Sequence, residues 1–221
     1  MRMGIRDEIA ALKRARTINV AVELFYDHGY DNTTLDAVAE RLGVTKPFIY
    51  AHFSSKSELL AEICSRGIAS SLEAMDSVVL LDASPIEKLH ILGERFVTAV
   101  LTSQKHIAIF SREEKNLAPA DFENINDMRR DFDKKLTGLI REGMEAGEFK
   151  LSDAHMAALA IGGLVSWAYV WYRPTGRLSL ENVAKELSEL MLQMVNASAK
   201  GKKRTSRHRS RAATAAGSSP V

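Results

Sequence analysis

The chain has 221 residues, 46% of them apolar and 26% charged, with 30 Lys+Arg against 28 Asp+Glu. That composition suits one large or two modest soluble domains and excludes a disordered, collagen-like or disulfide-stapled chain. Cys64 is the only cysteine, which excludes an intramolecular disulfide, a CxxC redox pair and a thiolate-based zinc site. His106 and His155 stand alone rather than in a ligating cluster, so no metal and no cofactor is expected. The opening string MRMGIRDE turns acidic where a secretory signal begins its apolar core, so the expected location is cytoplasmic.

The net charge of +2 conceals an asymmetry. From Ala199 to Val221 there are seven basic residues and no acid, which leaves the preceding 198 residues at −5. This tail has nothing to bury and is expected to be disordered, either as an electrostatic contact to nucleic acid or as a solubilising extension.

Apolar residues recur at helical spacing in almost every window and no strand-type alternation is sustained, which predicts an all-α fold of about nine helices. Ile18, Ala21, Val22 and Phe25 form one stripe of a first helix, from about Arg6 to about Asp27, stopped by His28-Gly29. Thr33-x-x-Asp36 has capping-box spacing and opens a short helix with Leu35, Val38, Ala39 and Leu42 inward, ended by Gly43. Thr45-Lys46-Pro47 starts the next helix at once, because Pro fits a first turn where its missing N–H is not needed. Ser54/Ser55 with Glu58 cap a long helix towards Val79, and Ser84-Pro85-Ile86-Glu87 caps another to about Thr102. A short helix around His106 to Arg112 follows, then one from Pro119 that Gly147 closes. Ser152-Asp153 caps a helix that ends at Pro174-Thr175-Gly176, and a last helix runs from Ser179 to about Ala197.

Two short helices meeting at a Gly turn, Thr33 to Phe53, form a helix-turn-helix. Its second helix is narrow enough to enter a DNA major groove while the first crosses the backbone. Ile49 and Phe53, four apart, can pack inward, leaving Thr45, Lys46, Phe48 and His52 outward and Tyr50 to reach a phosphate. The first 60 residues hold eight basic and eight acidic side chains, so affinity for DNA must come from local placement.

The string AVELFYDHGYDNTTLDAVAERLGVTKPFIYAHFSSKSELL resembles the TetR family of bacterial transcriptional regulators, most specifically from about Ile18 to Ile63. Phe25, Gly29, Thr33/Thr34, Val38-Ala39, Gly43-Val44, Tyr50, His52-Phe53, Lys56 and Leu59-Leu60 occupy the family's pattern positions. The resemblance implies a DNA-binding set of Thr33, Thr34, Thr45, Lys46, Pro47, Phe48, Tyr50, His52 and Lys56. In it Thr34 and Lys56 contact phosphates, Tyr50 and His52 grip the backbone, and Thr45 to Phe48 approach base edges. Phe48 is bulkier than the small residue often found there, and Ala51 lacks the polar side chain of many members.

The stretch from Ala154 to Tyr172 holds no Asp, Glu, Lys or Arg, so it must be covered on all sides, by lipid or by protein. Its Ala and Gly content, His155 and Ser166 favour protein, and no membrane association is expected. One face lines a core or cavity and the other pairs across a two-fold axis with the last helix, through Leu164, Leu187, Leu190, Met191 and Met194. The implied dimer places two recognition helices in successive major grooves of a palindromic operator, about 34 Å apart. SWAYVWYRPTGRLS resembles the branch of the family that responds to acyl-CoA thioesters. The candidate effector-binding residues are Phe110, Arg112, Arg129, Trp167, Trp171 and Arg173, although both Trp equally suit a core or dimer interface.

The expected organisation is a DNA-binding domain over 6–60, a ligand-binding and dimerisation domain over 61–198, and the basic tail over 199–221. The expected function is a ligand-responsive regulator, most simply a repressor, whose partners are double-stranded operator DNA, a small apolar effector such as an acyl-CoA, and a second copy of the chain. A structural nucleic-acid-binding protein acting through its tail is the alternative, and it predicts sequence-insensitive binding. An all-α enzyme is the third reading, and no GxSxG, HExxH, P-loop or dinucleotide motif supports it.

Overall fold

The computed structural model describes residues 4–196, which form helices and no strand. The basic tail lies outside the described residues. Helix α1 (Ile5–His28) leads into α2 (Leu35–Leu42), α3 (Lys46–Tyr50) and the long α4 (Lys56–Val79). Then come α5 (Pro85–Thr102), α6 (Gln104–Glu113), a 3₁₀ turn (Glu114–Asn116), α7 (Pro119–Glu145), α8 (Ala154–Ser166), α9 (Ala168–Trp171) and α10 (Leu180–Asn196). Every predicted helix is found. The one expected between Asp153 and Pro174 is divided at Trp167 into α8 and the single turn α9.

Most starts follow the local chemistry of the chain. Ser84 Oγ accepts from Glu87 N while the Glu87 carboxylate accepts from Ser84 N (2.9 Å), a reciprocal cap on α5. Ser55 Oγ accepts from Glu58 N (3.0 Å) to cap α4, while the Glu58 carboxylate turns back to Ser54 rather than to Ser55. Gly43 ends α2 at φ 71°, ψ 35°, a left-handed conformation in which an L side chain is strained, and its N–H returns to the Ala39 and Glu40 carbonyls. The chain thereby reverses within three residues and begins α3.

Two apolar cores organise the described residues. The first gathers Ile18, Ala21, Val22 and Phe25 of α1, Leu35 and Val38 of α2, Ile49 and Phe53 at α3, and Leu59, Leu60 and Ile63 of α4. It also takes in Ile109 and Phe110 of α6, Leu117, and Ile125 of α7, so α6 is packed into the core of the helix-turn-helix unit. The second core joins the far half of α4 to α5, α7, α8 and α10. Its tightest seam is α5 on α10. A Cβ added at Gly93 would lie 2.9 Å from Ser188 Cα, and Ser188 Oγ donates to the His90 carbonyl (2.8 Å).

Leu187 and Met191 require a correction as candidate partner contacts, because both are buried in this second core of their own protomer. The α10 helix meets α5 along its Val183, Ala184, Leu187, Met191 and Val195 stripe, and that geometry turns Leu190 outward, with Leu164 and Met194 half-buried. The Ala154–Trp171 stretch is long and apolar enough to cross a membrane by length and composition. It nonetheless seats Ala154, Ala158, Ile161, Val165 and Ala168 in the core, leaving Met156, Trp167 and Trp171 exposed along its other side and Leu159 partly exposed at the edge of a cavity.

Candidate nucleic-acid interface and apolar cavity

The α2–α3 unit presents a compact outer surface. Thr34 caps α2, accepting from Ala37 N (3.1 Å), and lies exposed beside Tyr50, Ser54, Ser55 and Lys56 around a shallow depression. The capping-box spacing places this cap one residue earlier, at Thr33. Thr33 is only 2% exposed, and its hydroxyl donates to the Gly29 carbonyl (2.9 Å) and reaches that of Leu24 (3.3 Å), pinning the end of α1. Although Thr33 borders the same depression, its hydroxyl is committed to the end of α1, which corrects its place among the side chains that reach a phosphate.

The Lys56 ammonium donates to the Tyr30 carbonyl (2.9 Å) and lies 4.1 Å from the Tyr30 ring centroid, which aims it at the same depression. Thr45 opens α3 with its hydroxyl uncommitted to any cap, and Pro47 occupies the first turn. Phe48 and His52 stack edge to face at 5.3 Å, both half-buried, with the Lys13 ammonium of α1 5.5 Å from the Phe48 ring. Lys46 is paired with Asp36 of α2, which holds its ammonium above the ordinary lysine range. A phosphate approaching Lys46 would have to compete with that carboxylate.

Behind this surface stands Arg14, which sequence reasoning missed. Its guanidinium donates to the His52 carbonyl, lies 4.1 Å over the Phe53 ring and reaches Glu58 (3.4 Å) and Glu62 (3.3 Å). One side chain thus ties α1 to the end of α3 and the start of α4. The signal was present in the sequence, since Arg14 falls one helical turn before Ile18 on the apolar stripe. Glu58 also accepts from Ser54 N (2.8 Å) and Ser54 Oγ (2.7 Å), and these bonds hold its carboxyl below the ordinary range, with Arg14 adding to the effect.

A cavity of about 480 Å³ lies between α4, α5, α6, α7 and α8. Its walls are largely apolar, with Ile68, Phe96, Val100, Ile107, Phe110 and Phe132 among them, and α8 contributes Leu159, Gly162 and Gly163. The charged exceptions are Glu114, Arg129, which lies 4.4 Å over the Phe110 ring, and Asp133, whose carboxyl is pushed up by burial against the opposing pull of His155 and Arg129, while Ser71, Ser111, Ser166 and Tyr169 add hydroxyls. Of the six candidate effector residues, Phe110 and Arg129 line this cavity. Arg112 and Arg173 line a neighbouring groove. Trp167 and Trp171 line neither; they are 62% and 45% exposed on the outer side of α8–α9. Most cavity residues come from different helices, so no local string announced them. Cys64 is buried, its thiol pushed up to about 12 by that burial, which suits packing rather than redox sensing.

Residues 18–63 match the model of the bacterial regulatory proteins of the tetR family, and residues 82–195 match the tetracyclin repressor-like C-terminal domain. The chain belongs to the TetR family. It is a DNA-binding transcriptional regulator and not an enzyme. Among curated relatives, the HTH-type transcriptional repressor KstR2 of Rhodococcus jostii (strain RHA1) is 24% identical over 182 residues, covering 81% of this chain and 89% of that one. The crystal structure of PfmR from Thermus thermophilus superposes with a TM-score of 0.74 at 27% identity, over 80% of this chain and 97% of that one. The fold is also that of AibR in complex with isovaleryl coenzyme A and operator DNA, with a TM-score of 0.68 at 23% identity over 83% of this chain and 97% of that one.

Proposed function

We propose that this TetR-family regulator is a repressor that binds a palindromic operator as a homodimer and is released by a small apolar effector, an acyl-CoA thioester. The observation that carries this reading is the double role of α4. Its first residue, Lys56, stands at the DNA-facing depression, while Gly67, Ile68 and Ser71 of the same helix wall the apolar cavity. A ligand that moves this helix moves the recognition unit with it, and it releases DNA only to the extent that it binds the released state more tightly.

In the bound state Thr34 and Lys56 take phosphates, Tyr50 and His52 grip the backbone, and Thr45 to Phe48 face base edges. Phe48 suits an apolar contact with a thymine methyl. The exposed apolar stripe of α8–α9, with Leu190 of α10 beside it, is the face that a second copy covers, and it gives Trp167 and Trp171 a role at the dimer interface. The effector class is supported by the apolar walls with a polar Arg129–Asp133 edge, and by the family likeness to AibR, described with isovaleryl coenzyme A.

The test begins with duplexes that the full chain selects from a random-sequence library. A selected site with two-fold symmetry, bound by a dimer in sedimentation analysis and released by one of isovaleryl-, octanoyl- or palmitoyl-CoA, is the expected result. A monomer at micromolar concentration, or selected sites without symmetry, would overturn the dimeric-operator reading. Release by none of the three thioesters would overturn the effector class.

A further inference from the structure

Beside the apolar cavity runs a second concavity of about 580 Å³, between α1, α6 and the α9 turn. Ser111 and Tyr169 line both, so the two spaces meet along that edge. Their chemistry differs sharply. The groove carries three cations, Lys105, Arg112 and Arg173, and none of its lining residues is acidic. In a body whose first 198 residues sum to −5, such a convergence from separate elements is not the usual solvated helix face.

Each guanidinium is steered yet left with donors to spare. Arg112 commits Nη1 to the Tyr26 carbonyl (3.3 Å), and Arg173 commits Nη1 to the carbonyls of Val170 (2.9 Å) and Tyr172 (3.0 Å). In both, Nη2 and Nε remain for a forked contact to phosphate oxygens. The Tyr26 ring lies beneath the cations, 5.3 Å from the Lys105 ammonium and 5.0 Å from the Arg112 guanidinium.

Resting on the acyl-CoA reading above, we infer that this groove is an anion site for the phosphate-bearing end of the effector, with the acyl chain in the adjoining cavity. The floor of the groove belongs to α1, the first helix of the DNA-binding unit. Lys105 is ion-paired with Glu23 of α1, so a bound phosphate competes with that tie between α6 and α1, while Arg112 takes phosphate through Nη2 and Nε and keeps its bond to the Tyr26 carbonyl. The phosphate end therefore acts on the DNA-binding unit directly, while the acyl chain acts through α4.

The test is calorimetric titration of the full chain with octanoyl-CoA, octanoyl-pantetheine and coenzyme A. Octanoyl-pantetheine keeps the thioester and acyl chain but carries no phosphate. Wild-type protein is expected to bind octanoyl-CoA at least tenfold more tightly than octanoyl-pantetheine. In Arg112→Ala/Arg173→Ala that ratio falls towards one while octanoyl-pantetheine binding is unchanged, and Arg112→Lys/Arg173→Lys restores much of it. Both arginines are exposed, so the double variant is expected to fold, which circular dichroism checks. Coenzyme A that binds wild type but not the alanine variant shows that the groove takes phosphate without help from the acyl chain. A wild-type ratio near one, or an alanine variant that keeps the full preference, overturns the groove as an anion site and leaves the effector reading standing. If neither thioester binds wild type, the effector reading itself falls and the groove falls with it.

Discussion

The two cores of this molecule are built by different means. Around the helix-turn-helix, short elements are set by side chains close in sequence: Thr34 caps α2, Gly43 turns the chain, Pro47 opens α3 and Ser55 starts α4. Around α5, α7, α8 and α10 the decisive contacts are remote in sequence, as where Gly93 admits the backbone of Ser188. Under the proposed function the first arrangement holds one surface in shape for DNA, and the second leaves a cavity among long helices for a ligand. Reading and sensing then ask opposite things of packing, and α4 and α6, which contribute to both regions, would serve both.

Substitutions in each core should separate them. The largest effect is expected from Phe53→Ala. Phe53 is fully buried beneath the Arg14 guanidinium, and its truncation costs about 4 kcal/mol. DNA binding should be lost, and hydrogen exchange should speed in α1 to α3 while α10 keeps its protection. Gly93→Ala reverses the pattern. The added methyl forces α5 from α10 at a cost of about 2–3 kcal/mol, so exchange should rise in α10, with α2 and α3 spared.

Within the DNA-reading unit the adjacent threonines sharpen the comparison further. Thr34→Ala removes a helix cap, worth about 1 kcal/mol, together with the phosphate contact proposed for its exposed hydroxyl, and DNA affinity should fall more than thermal stability. Thr33→Val removes buried hydroxyl bonds of similar size, and it should lower stability with little specific effect on DNA affinity.

The smallest effect concerns pH. The Glu58 carboxyl is held below its ordinary range by Ser54 first and Arg14 second, so its bonds add stability above the unfolded value, about 4.3. That contribution is lost as pH falls through the lower folded value. Thermal unfolding followed below pH 5 should show a shallower acid dependence in Glu58→Gln than in wild type.

The same contrast explains what could be read in advance. Helix starts were legible to within a residue where a cap and its partner lie three residues apart, as at Ser84-Glu87, and the α2–α3 surface followed from them. The division of labour between Thr33 and Thr34 was not, because two identical neighbours differ only in which one the end of α1 takes inward. Trp167 and Trp171 offered a ligand-like spacing, yet the break at Trp167 and the seating of Ala168 in the core turn both outward. Leu187 and Met191 fit a partner-facing stripe equally well on paper, and the close approach of α10 to α5 buried them. Arg112 and Arg173 lie far apart in the chain, and only the meeting of α6 with the α9 turn placed them on one groove.

Under the proposed function, a thioester in the C-terminal half empties the helix-turn-helix of DNA. The measurement that decides this is fluorescence anisotropy of a library-selected, two-fold symmetric duplex saturated with the full chain, titrated with octanoyl-CoA. Anisotropy is expected to fall to the free-DNA value as the thioester binds, with release and calorimetric binding sharing one midpoint. A complex that stays intact while calorimetry shows the thioester fully bound would contradict it.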